Sequence, residues 1–204
     1  MSLPELLARG EVWRGRPPAP PARDVLPSGH GALDAALPGG GWPRHGLTEI
    51  LVSEAGVGAL RLVVPALARL SREEGWLAWV APPYIPYAPA LAGVGVDVSR
   101  VLLVHPRRRD DGLWVVEQAL RAGTCAAVLA WLPAAVPPLA LRRLHLAAQA
   151  GRCPGFLFRP RQAAADASPA PLRLQVTPGA GRLQVQVLKR RGGGPVAGVA
   201  VGLD

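Results

Sequence analysis

The sequence predicts an α/β fold: a mostly parallel sheet flanked by helices, with antiparallel strands at the C-terminal end. Three observations carry this expectation. An apolar run, Leu47 to Val52, leads through a tight loop into an amphipathic, helix-like stretch. From Trp76 to Phe158, short apolar runs alternate with segments of ~10 or more residues at helical period, which implies βαβ crossovers. From Leu172 the pattern changes to period-two alternation, LRLQV and RLQVQVLKR, joined at Pro178-Gly179, as expected of antiparallel strands.

The elements follow in order. Residues 1–24 read as an arm. A short amphipathic helix around Pro4 to Arg9 carries Leu6 and Leu7, and Trp13-Arg14 follows it; the linker PPAPPA then acts as a semi-rigid spacer. Residues 25–204 read as one core domain. It opens with a turn at Pro27-Ser28-Gly29, a short helix carrying Leu33 and Leu37, and a glycine hinge, Gly39 to Gly41. The strand Leu47 to Val52 is followed by the loop Ser53 to Gly58 and a helix from about Ala59 to Arg72. Trp76 to Ala81 is apolar throughout, as a strand buried on both faces should be, and Pro82-Pro83 stops it. A short helix around Tyr87 to Gly93, a strand at Val101 to Val104 and a loop at His105 to Asp111 come next. The remaining expectations are a helix at Gly112 to Ala122, a strand at Cys125 to Leu132, a helix at Leu139 to Ala150 and a strand at Gly155 to Phe158. A last strand, Val196 to Val201, follows Gly192 to Gly194.

Composition narrows the function. No apolar run approaches the ~20 residues that span a bilayer. The N-terminus also lacks the basic and apolar regions of a signal peptide, so a cytoplasmic location is expected. The net charge is +9, which permits a polyanionic partner. Lys189 is the single lysine among 23 basic residues. Cys125 and Cys153 fall in or beside expected strands and read as core thiols. The four histidines lack ligand spacing, and no metal site is expected.

The loop after the first long strand lies where phosphate-loop proteins hold nucleotide, with loop amides and a helix N-terminus facing the anion. That chemistry needs G-x-x-x-x-G-K-[ST]. Here the eight positions read Val52, Ser53, Glu54, Ala55, Gly56, Val57, Gly58 and Ala59, so both motif glycines, the lysine and the hydroxyl are replaced. Trp79-Val80-Ala81-Pro82-Pro83 and Ala127 to Trp131 also end their strands without a carboxylate to activate water or hold magnesium. No cofactor, no ATP hydrolysis and no enzyme activity are expected.

Ser28-Gly29, Ala32-Leu33-Asp34, Leu37, Gly39 to Gly41, Gly46 and Glu49-Ile50 together resemble the start of a RecA-like core, and the order of later segments extends the resemblance to about residue 203. With its eroded phosphate loop, the chain resembles the ImuA family, RecA-like and SulA-related accessory proteins of the SOS response. That resemblance implies a non-catalytic role in translesion synthesis, through contacts with RecA, an ImuB-type polymerase and an alternative replicative-type polymerase. Lys189, Arg190 and Arg191 would form a charged partner contact at a RecA-like interface, with Leu6, Leu7, Trp13 and Arg14 of the arm as a second. Arg159 and Arg161, where RecA has its main DNA loop, would give weak sequence-independent DNA contact. The alternative is a SulA-like division inhibitor that binds the tubulin-like protein FtsZ. Gly46-Leu47-Thr48-Glu49, Trp79 and Gly155-Phe156 resemble SulA as well, and the Ser28 to Gly41 opening favours ImuA.

Overall fold

The computed structural model describes residues 24–53 and 58–202. The arm positions Leu6, Leu7, Trp13 and Arg14, and the loop positions Glu54, Ala55, Gly56 and Val57, lie outside the described residues. Two short strands, β1 (Val25–Leu26) and β2 (Trp42–Pro43), pair antiparallel. The other eight are β3 (Gly46–Val52), β4 (Trp76–Val80), β5 (Val101–Val104), β6 (Cys125–Trp131), β7 (Pro154–Pro160), β8 (Leu172–Gly179), β9 (Arg182–Arg190) and β10 (Val196–Gly202). They form one sheet in the order β10-β9-β8-β3-β7-β6-β4-β5. The six strands from β8 to β5 in that order run parallel, and β9 and β10 complete the sheet antiparallel.

The central strands are apolar at successive positions because both faces are covered. Helices α1 (Gly31–Ala36) and α2 (Val64–Leu70) supply Leu33 and Leu67 to a core shared with Trp79, Leu129 and Phe156. A second core joins Val116 and Leu120 of α4 (Arg109–Arg121) and Leu141 and Leu144 of α5 (Pro138–Ala150) to Ala78, Val128 and Leu157. Neighbours such as Val128 and Leu129 thus enter different cores, as the pleat requires. Between α4 and α5, buried Glu117 accepts from Arg121 (2.9 Å) and from Arg143. A short helix, α3 (Ala88–Gly93), adds Leu91 to the first core.

Three local expectations are corrected, and one element had not been expected. The helix expected from Ala59 to Arg72 is broken: Ala59–Leu62 forms a 3-10 turn, and α2 begins only at Val64. Pro65 is the reason, because proline fits the first turn of a helix and disrupts its interior. The helix expected from Gly112 starts at Arg109. Strand β8 runs past Pro178 to Gly179, and the turn into β9 falls at Ala180 and Gly181, where Gly181 takes φ +66°. The hairpin of β1 and β2 had no signal beyond the glycine hinge. Gly41 allows it, because a side chain there would meet the Leu26 carbonyl.

Candidate functional site

At the carboxyl ends of β3, β4, β6 and β7, where a phosphate loop would hold its anion, the chain has built an apolar mouth. It is a cleft of about 480 Å³ walled by Val52, Ala59, Leu60, Trp79, Pro82, Pro83, Tyr84, Trp131, Phe158 and Pro160. The aromatic wall is ordered by its own packing. Trp131 stacks on Phe158 with centroids 4.8 Å apart and planes 10° from parallel, and Trp79 tilts against Trp131 at 5.8 Å. These rings stand at or near the carboxyl ends of β4, β6 and β7. The amides after the loop are also committed elsewhere: Arg61 N–H donates to Gly58 O (2.8 Å) and Val63 N–H to Leu60 O (3.0 Å). On the cleft walls, the buried Trp79 Nε1–H and Arg159 Nε–H have no acceptor among the described residues.

The outer lip of the mouth is the segment after β4. Ala81 takes φ +54°, a left-handed backbone that is strained for a residue with a Cβ, and its N–H donates to Val104 O (2.8 Å). Pro82, Pro83 and Pro86 restrict the connection that follows, and Pro89 sits in the first turn of α3, with Tyr84 66%, Ile85 82% and Tyr87 72% exposed. Edge strand β5, which receives the Ala81 bond, exposes Leu102 and Leu103 as well. Large apolar and tyrosine side chains exposed together on a stiff segment mark a protein-recognition surface, not a catalytic one.

Behind the mouth lies a buried charge cluster. Glu49 Oε1 accepts from Arg159 Nη1 (3.1 Å) and Ser168 Oγ (2.8 Å), and Oε2 accepts from Arg173 Nε (2.7 Å). Arg159 Nη2 donates to Ala134 O (2.7 Å) and approaches Asp166 Oδ2 (3.4 Å), while Arg173 donates to Asp166 O (2.9 Å) and Ala163 O (2.6 Å). Two guanidinium groups and two carboxylates balance, and between them they clamp β3, β7, β8 and the connection from residue 161 to 170. Arg159 is therefore a buried structural residue and unavailable to a DNA backbone, which corrects its assignment as a DNA contact. Arg161 alone of that pair is exposed. Sequence reasoning missed the cluster; the only signal was two charged residues, Glu49 and Arg173, inside strands otherwise apolar.

The basic residues at the end of β9 lie at the other end of the sheet. Leu172 pairs with both Thr48 and Arg190, so residues 189–191 are level with the start of β3 and far from the mouth. Lys189 Nζ donates to Ser168 O (2.7 Å). Arg190 reaches Gly194 O (2.9 Å) and Ala36 O (2.6 Å), tying β9 to α1, so it is an internal strut. Only Arg191 is free of any such bond. Cys125 and Cys153 are free thiols, and burial pushes both thiols up from their ordinary range. Among the described residues no three metal-ligating side chains cluster, and no helix is long and apolar enough to cross a membrane.

A family model described as cell division inhibitor SulA matches residues 46–155, more than half of the chain. The chain belongs to the SulA family. A SulA from Edwardsiella piscicida, described as a cell division inhibitor, is 37% identical over 127 residues, covering 59% of this chain and 74% of that one. A SulA from Pectobacterium atrosepticum, with the same description, is 33% identical over 106 residues; the match covers 52% of this chain and 63% of the relative. The crystal structure of SulA from Pseudomonas aeruginosa aligns at 30% identity and a TM-score of 0.46, over 55% of this chain and 96% of that one.

SulA membership corrects the functional expectation. The family is described by inhibition of cell division, so the translesion-synthesis role and the partners RecA, ImuB-type polymerase and alternative polymerase are withdrawn. The opening that favoured ImuA lies outside the matched residues, and its glycines serve packing. Gly29 (φ +87°) sits against Pro65, and buried Ser28 takes the Asp34 carboxylate on its N–H at 2.8 Å. In keeping with its family, the chain is not an enzyme.

Proposed function

We propose that this chain is a SulA-type inhibitor of cell division that binds the tubulin-like protein FtsZ and acts by occupying a surface, without turning anything over. The observation that carries the reading is the rebuilt mouth. Trp79 and Trp131, within the SulA-matched residues, and Phe158, just beyond them, wall the mouth, and Tyr84, Ile85 and Tyr87, also within the match, stand exposed on a proline-rich lip. The lip would be the docking surface. Proline restriction lowers the entropy lost on binding, and tyrosines supply contact area with few rotatable bonds. We further read the sheet as a RecA-type core whose nucleotide end was converted to recognition; the strand order and the position of the eroded loop support this.

The direct test is FtsZ affinity, measured by fluorescence anisotropy, for wild type and for the triple variant Y84S/I85S/Y87S. Losing central aromatic and aliphatic anchors costs about 2 kcal/mol or more, so affinity should fall at least ~30-fold. Far-UV circular dichroism and thermal midpoint should stay as in wild type, since all three side chains are exposed. Undiminished FtsZ affinity in a folded triple variant would place the interface elsewhere.

A further inference from the structure

A second cavity lies at the opposite end of the sheet from the mouth, and it is cationic. Its volume is about 610 Å³, and it is lined by β1 and β2 with the residues just before β3, the C-terminal half of α5, the run into β8 and the end of β9. Its titratable groups are Asp24, His45, His145, Lys189 and Arg191. Lys189 and Arg191 form no ion pair among the described residues. Asp24, the one carboxylate on the wall among the described residues, is exposed at the rim. His45 is spoken for: its Nδ1 lies 3.1 Å from Arg152 O and its Nε2 3.2 Å from Arg152 Nη2. Proline rings, at Pro38, Pro43, Pro169 and Pro171, make up much of the remaining wall.

We propose that this cavity docks an acidic peptide segment of a partner protein, its carboxylates on Lys189 and Arg191 and its apolar residues on the proline wall. Charge complementarity selects the occupant, since two cations without carboxylate partners face a space large enough for several residues. The shape and composition select a peptide over nucleic acid. No Phe, Tyr or Trp among the described residues lines the cavity to stack a base, the His45 ring is held by Arg152, and the wall is concave and proline-rich where a phosphate backbone would need an open basic track. The field in the empty cavity agrees. His145 is held below its usual value of 6.5 by burial first and then by the charges of Lys189 and Arg191. Lys189 is itself lowered by burial and by Arg173, with Glu49 acting the other way. An anion entering here offsets these positive charges. The inference stands apart from the mouth and from the identity of the partner bound there.

The test uses the full chain and a labelled, end-blocked hexapeptide of alternating Glu and Leu, with Gln in place of Glu as the neutral control. The acidic peptide should bind at low salt and the neutral one should not. Affinity should fall about tenfold or more in K189M/R191Q, the scale of one charge-assisted hydrogen bond. The single variant R191E, at a position with no bond to the fold, should do the same without loss of thermal stability. The His145 ring resonance should titrate at higher pH in the presence of the acidic peptide, because the bound carboxylates favour the imidazolium. Acidic-peptide binding that is unchanged in R191E, or a His145 titration that does not move, would overturn the proposal. So would pyrophosphate or a single-stranded oligonucleotide binding more tightly than the peptide and being lost in the same variants.

Discussion

At the scale of single residues, Glu49 has the most consequences for stability. It is fully buried on β3, and its two oxygens hold Arg159 and Arg173 in the second layer of the sheet. A buried ion pair is seldom a large net gain over apolar packing, but breaking it by removing one partner leaves an uncompensated charge. Replacing Glu49 by Leu should therefore destabilise the fold by about 3–5 kcal/mol, read as a shift in the urea midpoint at constant slope. A loss below about 1 kcal/mol, the scale of an exposed pair, would show that the cluster is wet and loosely held. The sequence made Arg159 look like a surface cation because it ends a strand beside Arg161, and one-dimensional order does not report that a neighbouring strand supplies a carboxylate. Arg190 misled in the same way. Its place in a basic triplet suggested a charged rim, yet its guanidinium closes a gap to the Ala36 carbonyl, 154 positions away in the chain.

Among the elements, the strands were the most legible. Continuous apolar runs such as Trp76 to Val80 leave little choice but a strand covered on both faces, and β8 and β9 announced themselves by alternation. Helix starts were less legible because they depend on one residue's geometry; Pro65 sets the start of α2 at Val64. Of the lip, Pro82-Pro83 was read as a strand stop and Tyr87 onward as the start of a short helix. Its recognition character depends on which side chains stay exposed once the sheet has formed, and a sequence does not print exposure. That lip carries the element-scale prediction. Replacing Pro83 and Pro86 by Gly keeps all three exposed anchors and loosens the segment that presents them. Each change adds about 0.4–1 kcal/mol of ordering entropy to binding, so affinity for FtsZ should fall roughly tenfold with little change in the contacts of the complex. Unchanged affinity would mean that stiffness plays no part in presentation.

For the whole molecule, the two ends of the sheet have diverged in chemistry. The carboxyl end of the parallel strands is apolar and aromatic, and the amino end is concave and cationic. The sequence showed that the carboxyl end lacks the lysine, hydroxyl and carboxylates that a nucleotide site needs. It could not show what had replaced them, because Trp79, Trp131 and Phe158 come from three separate strands and meet only in the fold. The resemblance to ImuA drew its weight from the opening before Gly46, whereas the family match runs from residue 46 to 155 and places the chain in the SulA family. The central claim, that this SulA-family surface stops assembly of FtsZ, is tested most directly by sedimenting FtsZ polymer formed with GTP in the presence of increasing amounts of the protein. Polymer should decrease with a stoichiometric end point, and Y84S/I85S/Y87S should leave it intact at the same concentrations. Full polymer yield at saturating wild-type protein, with RecA or an ImuB-type polymerase captured in its place, would contradict the account.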